Sequence, residues 1–128
     1  MRTTILAAAL ALVAGAAAAD PVEGVWMTQP DDNGNYAHVT IAPCGAEICG
    51  VLGKGFDSAG SPIASPNIGR QMIWGMEPRG GGEYRGGKIW APDRDKTYNA
   101  RMTLGGNRLK VEGCVLGICR AQTWRRVQ

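Results

Sequence analysis

From residue 20 onward, no segment of this chain holds a 3.6-residue apolar period for three turns, and Gly or Pro interrupts it at short intervals. A surface helix has to bury a stripe of side chains at i, i+3, i+4 and i+7, so a chain without that stripe offers no helix to pack. What the chain offers instead is alternation, apolar then polar, in runs of four to nine residues. Gly accounts for 19 of 128 residues, about twice the usual ~7%. Helical bundles and α/β layers are thereby excluded. An all-β domain of many short strands remains.

The runs fall in hairpin order. Strands are expected at residues 22–29, 36–43, 48–53 and 71–76, then twice within 83–104, then at 108–113 and 119–127. Turn chemistry separates them: Pro30-Asp31-Asp32-Asn33-Gly34, Asp57-Ser58-Ala59-Gly60-Ser61-Pro62, Gly80-Gly81-Gly82 and Gly105-Gly106-Asn107. Ala37, Val39 and Ile41 share one face of the second strand, with Tyr36, His38 and Thr40 on the other. Leu109 and Val111 alternate with Arg108, Lys110 and Glu112, a strand with one wet face. About eight strands joined by sequential hairpins make an antiparallel meander. Such a meander can close into an up-and-down barrel and so remove its unpaired edges. An eight-stranded barrel is just wide enough to fill with side chains or to hold one small ligand.

The first residues read as a leader. Arg2 precedes an apolar run from Ile5 to Val13, and Ala17-Ala18-Ala19 supplies small residues before Asp20. That is the pattern of a cleaved secretory signal peptide over residues 1–19, shorter and more Ala-rich than the ~20 apolar residues of a spanning helix. Residues 20–128 then form a single domain, exported to the periplasm or secreted from a Gram-negative bacterium. The chain carries 14 basic and 11 acidic residues, and the leader removes one of the basic ones. These charges are scattered, which argues against a nucleic-acid footprint or a polybasic membrane patch.

Four cysteines behind a leader read as disulfides. They form two similar pairs, Cys44-Gly45-Ala46-Glu47-Ile48-Cys49 and Cys114-Val115-Leu116-Gly117-Ile118-Cys119. Three connectivities exist. Chain entropy favours the long crosslinks, at about 4.5 kcal/mol against about 2 kcal/mol for a six-residue loop. Geometry favours the local ones, because each pair brackets a four-residue turn that sets its two cysteines opposite each other across a hairpin. Cys44–Cys49 and Cys114–Cys119 are the expected bridges.

Residues for catalysis do not assemble. His38 is the single histidine and stands on a polar face without a fixed partner. No Gly-x-Ser-x-Gly elbow, Cys-x-x-Cys redox pair or zinc spacing is present. Asp93-Arg94-Asp95-Lys96 places two carboxylates in one turn. A calcium ion wants six to eight oxygens, and Arg94 and Lys96 neutralise the pair, so a solvated turn is expected. Gly86-Gly87-Lys88 lacks the frame of a phosphate loop and reads as a bend where a sheet curves. No catalytic residue, metal or cofactor is expected. The tryptophans Trp26, Trp74, Trp90 and Trp124 all fall in strands, where core packing is the first reading and a cavity wall the second. Tyr98, Ala100, Met102 and Leu104 share one face by alternation.

Several of these stretches together resemble the bacterial exported family Domain of Unknown Function 2147. They are Gly24-Val25-Trp26, the run Gly86-Gly87-Lys88-Ile89-Trp90-x-Pro92 into Lys96-Thr97-Tyr98, Leu109-Lys110-Val111-x-Gly113, and Gln122-Thr123-Trp124-x-Arg126. The two cysteine pairs lie outside that pattern. The resemblance implies a lipocalin-like or fatty-acid-binding-protein-like barrel. In that arrangement an Arg after a late Trp stacks over the first-strand Trp, so Gly24, Trp26, Trp124 and Arg126 (or its neighbour Arg125) would hold one barrel end shut.

The function expected is a non-enzymatic binding module for a small apolar or amphipathic ligand, with Trp26, Trp90, Tyr98 and Met102 as candidate ligand-binding residues. The alternative is an envelope interaction or structural protein whose barrel is filled solid. Partners under these readings are a small apolar ligand or an envelope protein, with no nucleic acid and no transmembrane segment after the leader is cut.

Overall fold

The computed structural model describes residues 20–128; the expected leader, residues 1–19, lies outside them. Nine strands follow one another: β1 (Gly24–Met27), β2 (Tyr36–Cys44), β3 (Glu47–Phe56), β4 (Pro62–Ile63), β5 (Gln71–Gly80), β6 (Glu83–Ala91), β7 (Lys96–Gly105), β8 (Arg108–Val115) and β9 (Ile118–Arg126). Every pairing is antiparallel. Eight strands close a ring in the order β1-β2-β3-β5-β6-β7-β8-β9, and β9 returns to β1 through Trp26↔Arg126 and Met27↔Arg125. The two-residue β4 lies outside the ring count and extends the sheet edge of β3 through Gly55↔Ile63 and Phe56↔Pro62. The barrel is the up-and-down meander that the sequence predicts. β3 and β5 run longer than the alternation indicated, because they continue through polar and glycine residues, whereas β1 is shorter than the expected 22–29.

Bulges curve the wall. Between Tyr84↔Met102 and Gly87↔Ala100 the ladder slips, with Arg85 and Gly86 together facing Arg101. The Gly86-Gly87 bend read from the sequence is this bulge. A Cβ at Gly87 would stand 2.6 Å from the Trp74 carbonyl oxygen and 2.7 Å from Met76 Sδ. Glycine there lets two strands approach while Met76 fills the interior.

Both local disulfides are present, Cys44–Cys49 and Cys114–Cys119, with Cα atoms 5.7 Å and 4.1 Å apart. Only the second joins residues directly opposite, Cys114↔Cys119 around the two-residue turn Leu116-Gly117. In the first hairpin Cys44 faces Glu47 and Cys49 faces Ala42, so the bridge runs diagonally. Glycine position sets the difference. A two-residue turn needs positive φ, which Gly45 supplies immediately after Cys44, whereas Leu116 and Gly117 supply it two residues after Cys114.

The inward faces carry the core. Val39 and Ile41 of β2, Ile73 and Met76 of β5, Met102 of β7 and Leu109 of β8 are fully buried. One departure from the expected alternation is Glu112. It points away from Val111, yet is 6% exposed, because Arg101 (2.9 Å) and Lys110 (3.6 Å) close over its carboxylate. The Arg101 hydrogen bond outweighs burial and holds the carboxyl below the usual glutamate range.

Candidate functional site

The barrel is filled at one end and hollow at the other. At the filled end Trp26 is fully buried and its Nε1 donates to the Val22 carbonyl at 2.9 Å. The Arg126 guanidinium lies 4.4 Å over the Trp26 ring, with Nη1 donating to Glu23 O (2.8 Å) and Nη2 to Pro21 O (2.6 Å). The Gly-x-Trp spacing has a steric cause. Gly24 sits at φ 143, and a Cβ there would collide with Arg126 Nη1, 2.8 Å away, and with the Gln128 carbonyl. The Tyr84 hydroxyl donates to Asp20 Oδ1 at the same end. Burial, followed by the hydrogen bond to Asp20, pushes that phenol well above its ordinary pKa.

Toward the other end the packing stops. A cavity of about 370 Å³ opens between the ends of β1, β3 and the starts of β2 and β5, walled by Ala37, Leu52, Ile63 and Met72 and edged by Thr28 and Gln29. A second, of about 240 Å³, is walled by Ile89, Tyr98, Val111, Gly113 and Trp124. Met72, Pro92, Asp93 and Gln122 line both, so the two adjoin at one mouth. Both walls are mainly apolar, and the volumes bracket the ~300 Å³ at which small-molecule pockets begin.

The polar groups of the mouth carry both charges. Arg94 and Arg120 line the smaller cavity, with Asp93 between the two spaces. Asp93 Oδ2 lies 4.0 Å from Arg94 Nε. Asp31 borders the larger cavity, but its Oδ1 already accepts the amides of Asn33 and Asn35, each at 2.9 Å. The rim beside the smaller cavity is an apolar hairpin tip in which Leu116 is 98% exposed, flanked by exposed Val115 and Ile118 and clamped by Cys114–Cys119.

The four candidate ligand-binding residues do not gather in this space. Tyr98 lines the smaller cavity. Trp26 and Met102 are fully buried in the filled end and line neither cavity. Alternation put Met102 on the same inward face as Tyr98, but four residues further along β7 that face meets solid packing. Trp90 lies on the other face of β6 from Ile89, opposite Thr97. Arg70 covers it with Cζ 3.4 Å from the ring, and its Nε1 donates to Asp95 Oδ1 at 2.8 Å. Arg70 Nη2 reaches Asp95 at 3.9 Å. The turn of residues 93–96 is therefore more than solvated: Asp95, at φ 47, ties the loop before β5 to the outer wall through Trp90.

Trp124, read as structural, does pack on Leu109, and it also forms part of the smaller cavity's wall while its Nε1 donates to Gln122 Oε1 at 2.9 Å. His38 stands on the opposite face of β2 from Ala37 and Val39, 4.7 Å from the Phe56 ring, and lines neither cavity. Sequence reasoning missed Met72, Ile89, Val111, Gly113, Arg120 and Gln122. A signal for the last two was present. Stepping back by twos from Trp124 puts Gln122 and Arg120 on the inward row of β9, and polar residues on an inward row are out of place unless they face a cavity.

Residues 24–126 match the model of a family described as an uncharacterised protein conserved in bacteria, DUF2147. A solved structure from the human pathogen Helicobacter pylori, described as a protein belonging to the lipocalin family, superposes with a TM-score of 0.65. The match covers 83% of this chain and 82% of that one at 20% sequence identity, a likeness of fold. No curated protein matches the chain.

Proposed function

We propose, from the premise that this chain belongs to the DUF2147 family, that it is an exported binding module taking up a small apolar or amphipathic ligand through the open end of its barrel. The observation that carries the reading is the contrast along the barrel axis. Trp26, Met76, Met102 and Leu109 are packed without exposure at one end, while a cavity of about 370 Å³ with an apolar wall stands open at the other. A barrel serving only as a solid scaffold gains stability by filling that space, since each unfilled methyl-sized gap costs about 1 kcal/mol. Binding rather than catalysis is favoured because His38 and Asp95 both point away from the cavity that Asp93 borders.

Export rests on the leader of residues 1–19 and on the two disulfides, which persist in oxidising compartments. Native mass spectrometry of protein released from the periplasm without denaturation tests both parts. The expected result is a chain beginning at Asp20 with a bound small molecule that denaturation frees. A ligand-free chain whose Trp fluorescence also ignores added apolar compounds overturns the binding reading.

A further inference from the structure

We propose that the ligand is an anionic amphiphile whose acidic head group is held by Arg120, with Arg94 as a second cation, while its apolar tail lies in the cup. This deepens the binding reading above and rests on it. Arg120 is directly opposite Gly113 in the β8–β9 ladder. Gly113 faces inward, since a Cβ built on it would meet Ile89 Cγ2 and Tyr98 Cβ, each at 3.5 Å. Arg120 therefore belongs to the inward row of β9 with Gln122 and Trp124, and all three line the smaller cavity.

Arg120 stands exposed at the mouth of this cavity, its guanidinium in solvent and within reach of a head group at the opening. Two nearby guanidiniums have anionic neighbours: Arg70 has Asp95 and Arg94 has Asp93. Arg120 has no ion pair and no side-chain hydrogen bond among the described residues. Its five donors are left for a planar oxyanion, which a guanidinium binds in two-pronged fashion. Gln122 adds an amide beside it, with Oε1 already engaged by Trp124 and the NH₂ left to donate. Below these groups the wall turns apolar through Tyr98, Ile89, Val111 and Met72. The filled base shortens the space. A nine-residue strand spans ~30 Å, and only the open part of that length is left for a tail, which points to a short acyl chain.

The test compares decanoate with decanol, which share a tail and differ in the charged head. Each displaces the neutral fluorophore N-phenyl-1-naphthylamine from the oxidised protein at low salt. The expected result is that decanoate binds about tenfold tighter than decanol, the equivalent of one charge-assisted contact near ~1.4 kcal/mol. Arg120→Leu should bring the acid-to-alcohol ratio to about one, and Arg120→Lys should keep part of it. Raising salt should shrink the ratio in the wild-type protein. Equal affinities in the wild-type protein, or a preference for decanoate that survives in a folded Arg120→Leu variant, overturn the head-group assignment and leave the binding module standing. Failure of both compounds and of the fluorophore to bind overturns the binding module itself, and this inference with it.

Discussion

Arg126 places its guanidinium 4.4 Å above the indole of Trp26, in a slot that exists because Gly24 has no side chain. The pair joins the first strand to the last where β1 and β9 share only two residue pairs. A cation–π contact contributes about 0.5–2 kcal/mol, and two charge-assisted bonds to the Glu23 and Pro21 carbonyls add to it. Arg126→Ala should cost about 2–3 kcal/mol, lowering the melting temperature by roughly 10 °C or more. Arg126→Lys should recover only part, because an ammonium cannot lie flat on the ring and reach both carbonyls. Thermal melts followed by circular dichroism decide it. A Lys variant as stable as the wild type would contradict the closure described here.

Two inward glycines should answer substitution oppositely. At Gly87 a Cβ meets backbone and Met76 Sδ below 3 Å, and the backbone cannot retreat. Gly87→Ala should destabilise by about 2–3 kcal/mol through overpacking. At Gly113 the same atom makes ordinary contact at 3.5 Å and borders the smaller cavity. Gly113→Ala should be neutral or stabilising by up to about 1 kcal/mol. Urea titration of both variants reads the contrast, and equal losses would refute it.

The disulfides should be modest staples. Each closes a hairpin with a sequence separation of five, so chain entropy allots each about 2 kcal/mol. Non-reducing peptide mapping should return Cys44–Cys49 and Cys114–Cys119, and a Cys44–Cys119 peptide would overturn the assignment. Reduction should lower stability without unfolding the barrel, because Trp26, Trp124 and the other core residues close it independently of either bridge.

Glu112 sets a pH dependence. Its carboxyl is held below the usual range chiefly by the Arg101 hydrogen bond. A group depressed on folding stabilises above its unfolded pKa and loses that contribution as pH falls through the folded value. The stability gap between wild type and Glu112→Gln should therefore be full near pH 7 and shrink by about pH 3. Chemical unfolding at the two pH values measures it, and a gap that stays constant would show that the carboxylate charge is irrelevant.

The barrel was legible in the sequence because its causes are local. Hairpin turns and period-two alternation fix strand order and facing, as Val39 and Ile41 on β2 and Leu109 and Val111 on β8 illustrate. The paired cysteines were legible for the same reason, apart from the diagonal first bridge, whose register depends on where Gly45 places the turn. The cavity was only partly legible. Alternation says which residues point inward but not at what height packing gives way, so Tyr98 and Met102 looked equivalent. Trp90 was misplaced because its burial comes from Arg70, twenty residues away on a loop that carries no period. Arg120 was readable by counting back from Trp124, but a scattered positive charge gave no reason to count.

The central claim, a filled base beneath an open cup, can be read from the methionines. Met72 lines both cavities, while Met76 and Met102 are packed in the base. In protein labelled with ¹³C at the methionine methyls, titration with decanol should move the Met72 resonance saturably and leave Met76 and Met102 in place. A titration that leaves Met72 unmoved, or shifts Met76 and Met102 as much, would contradict the account.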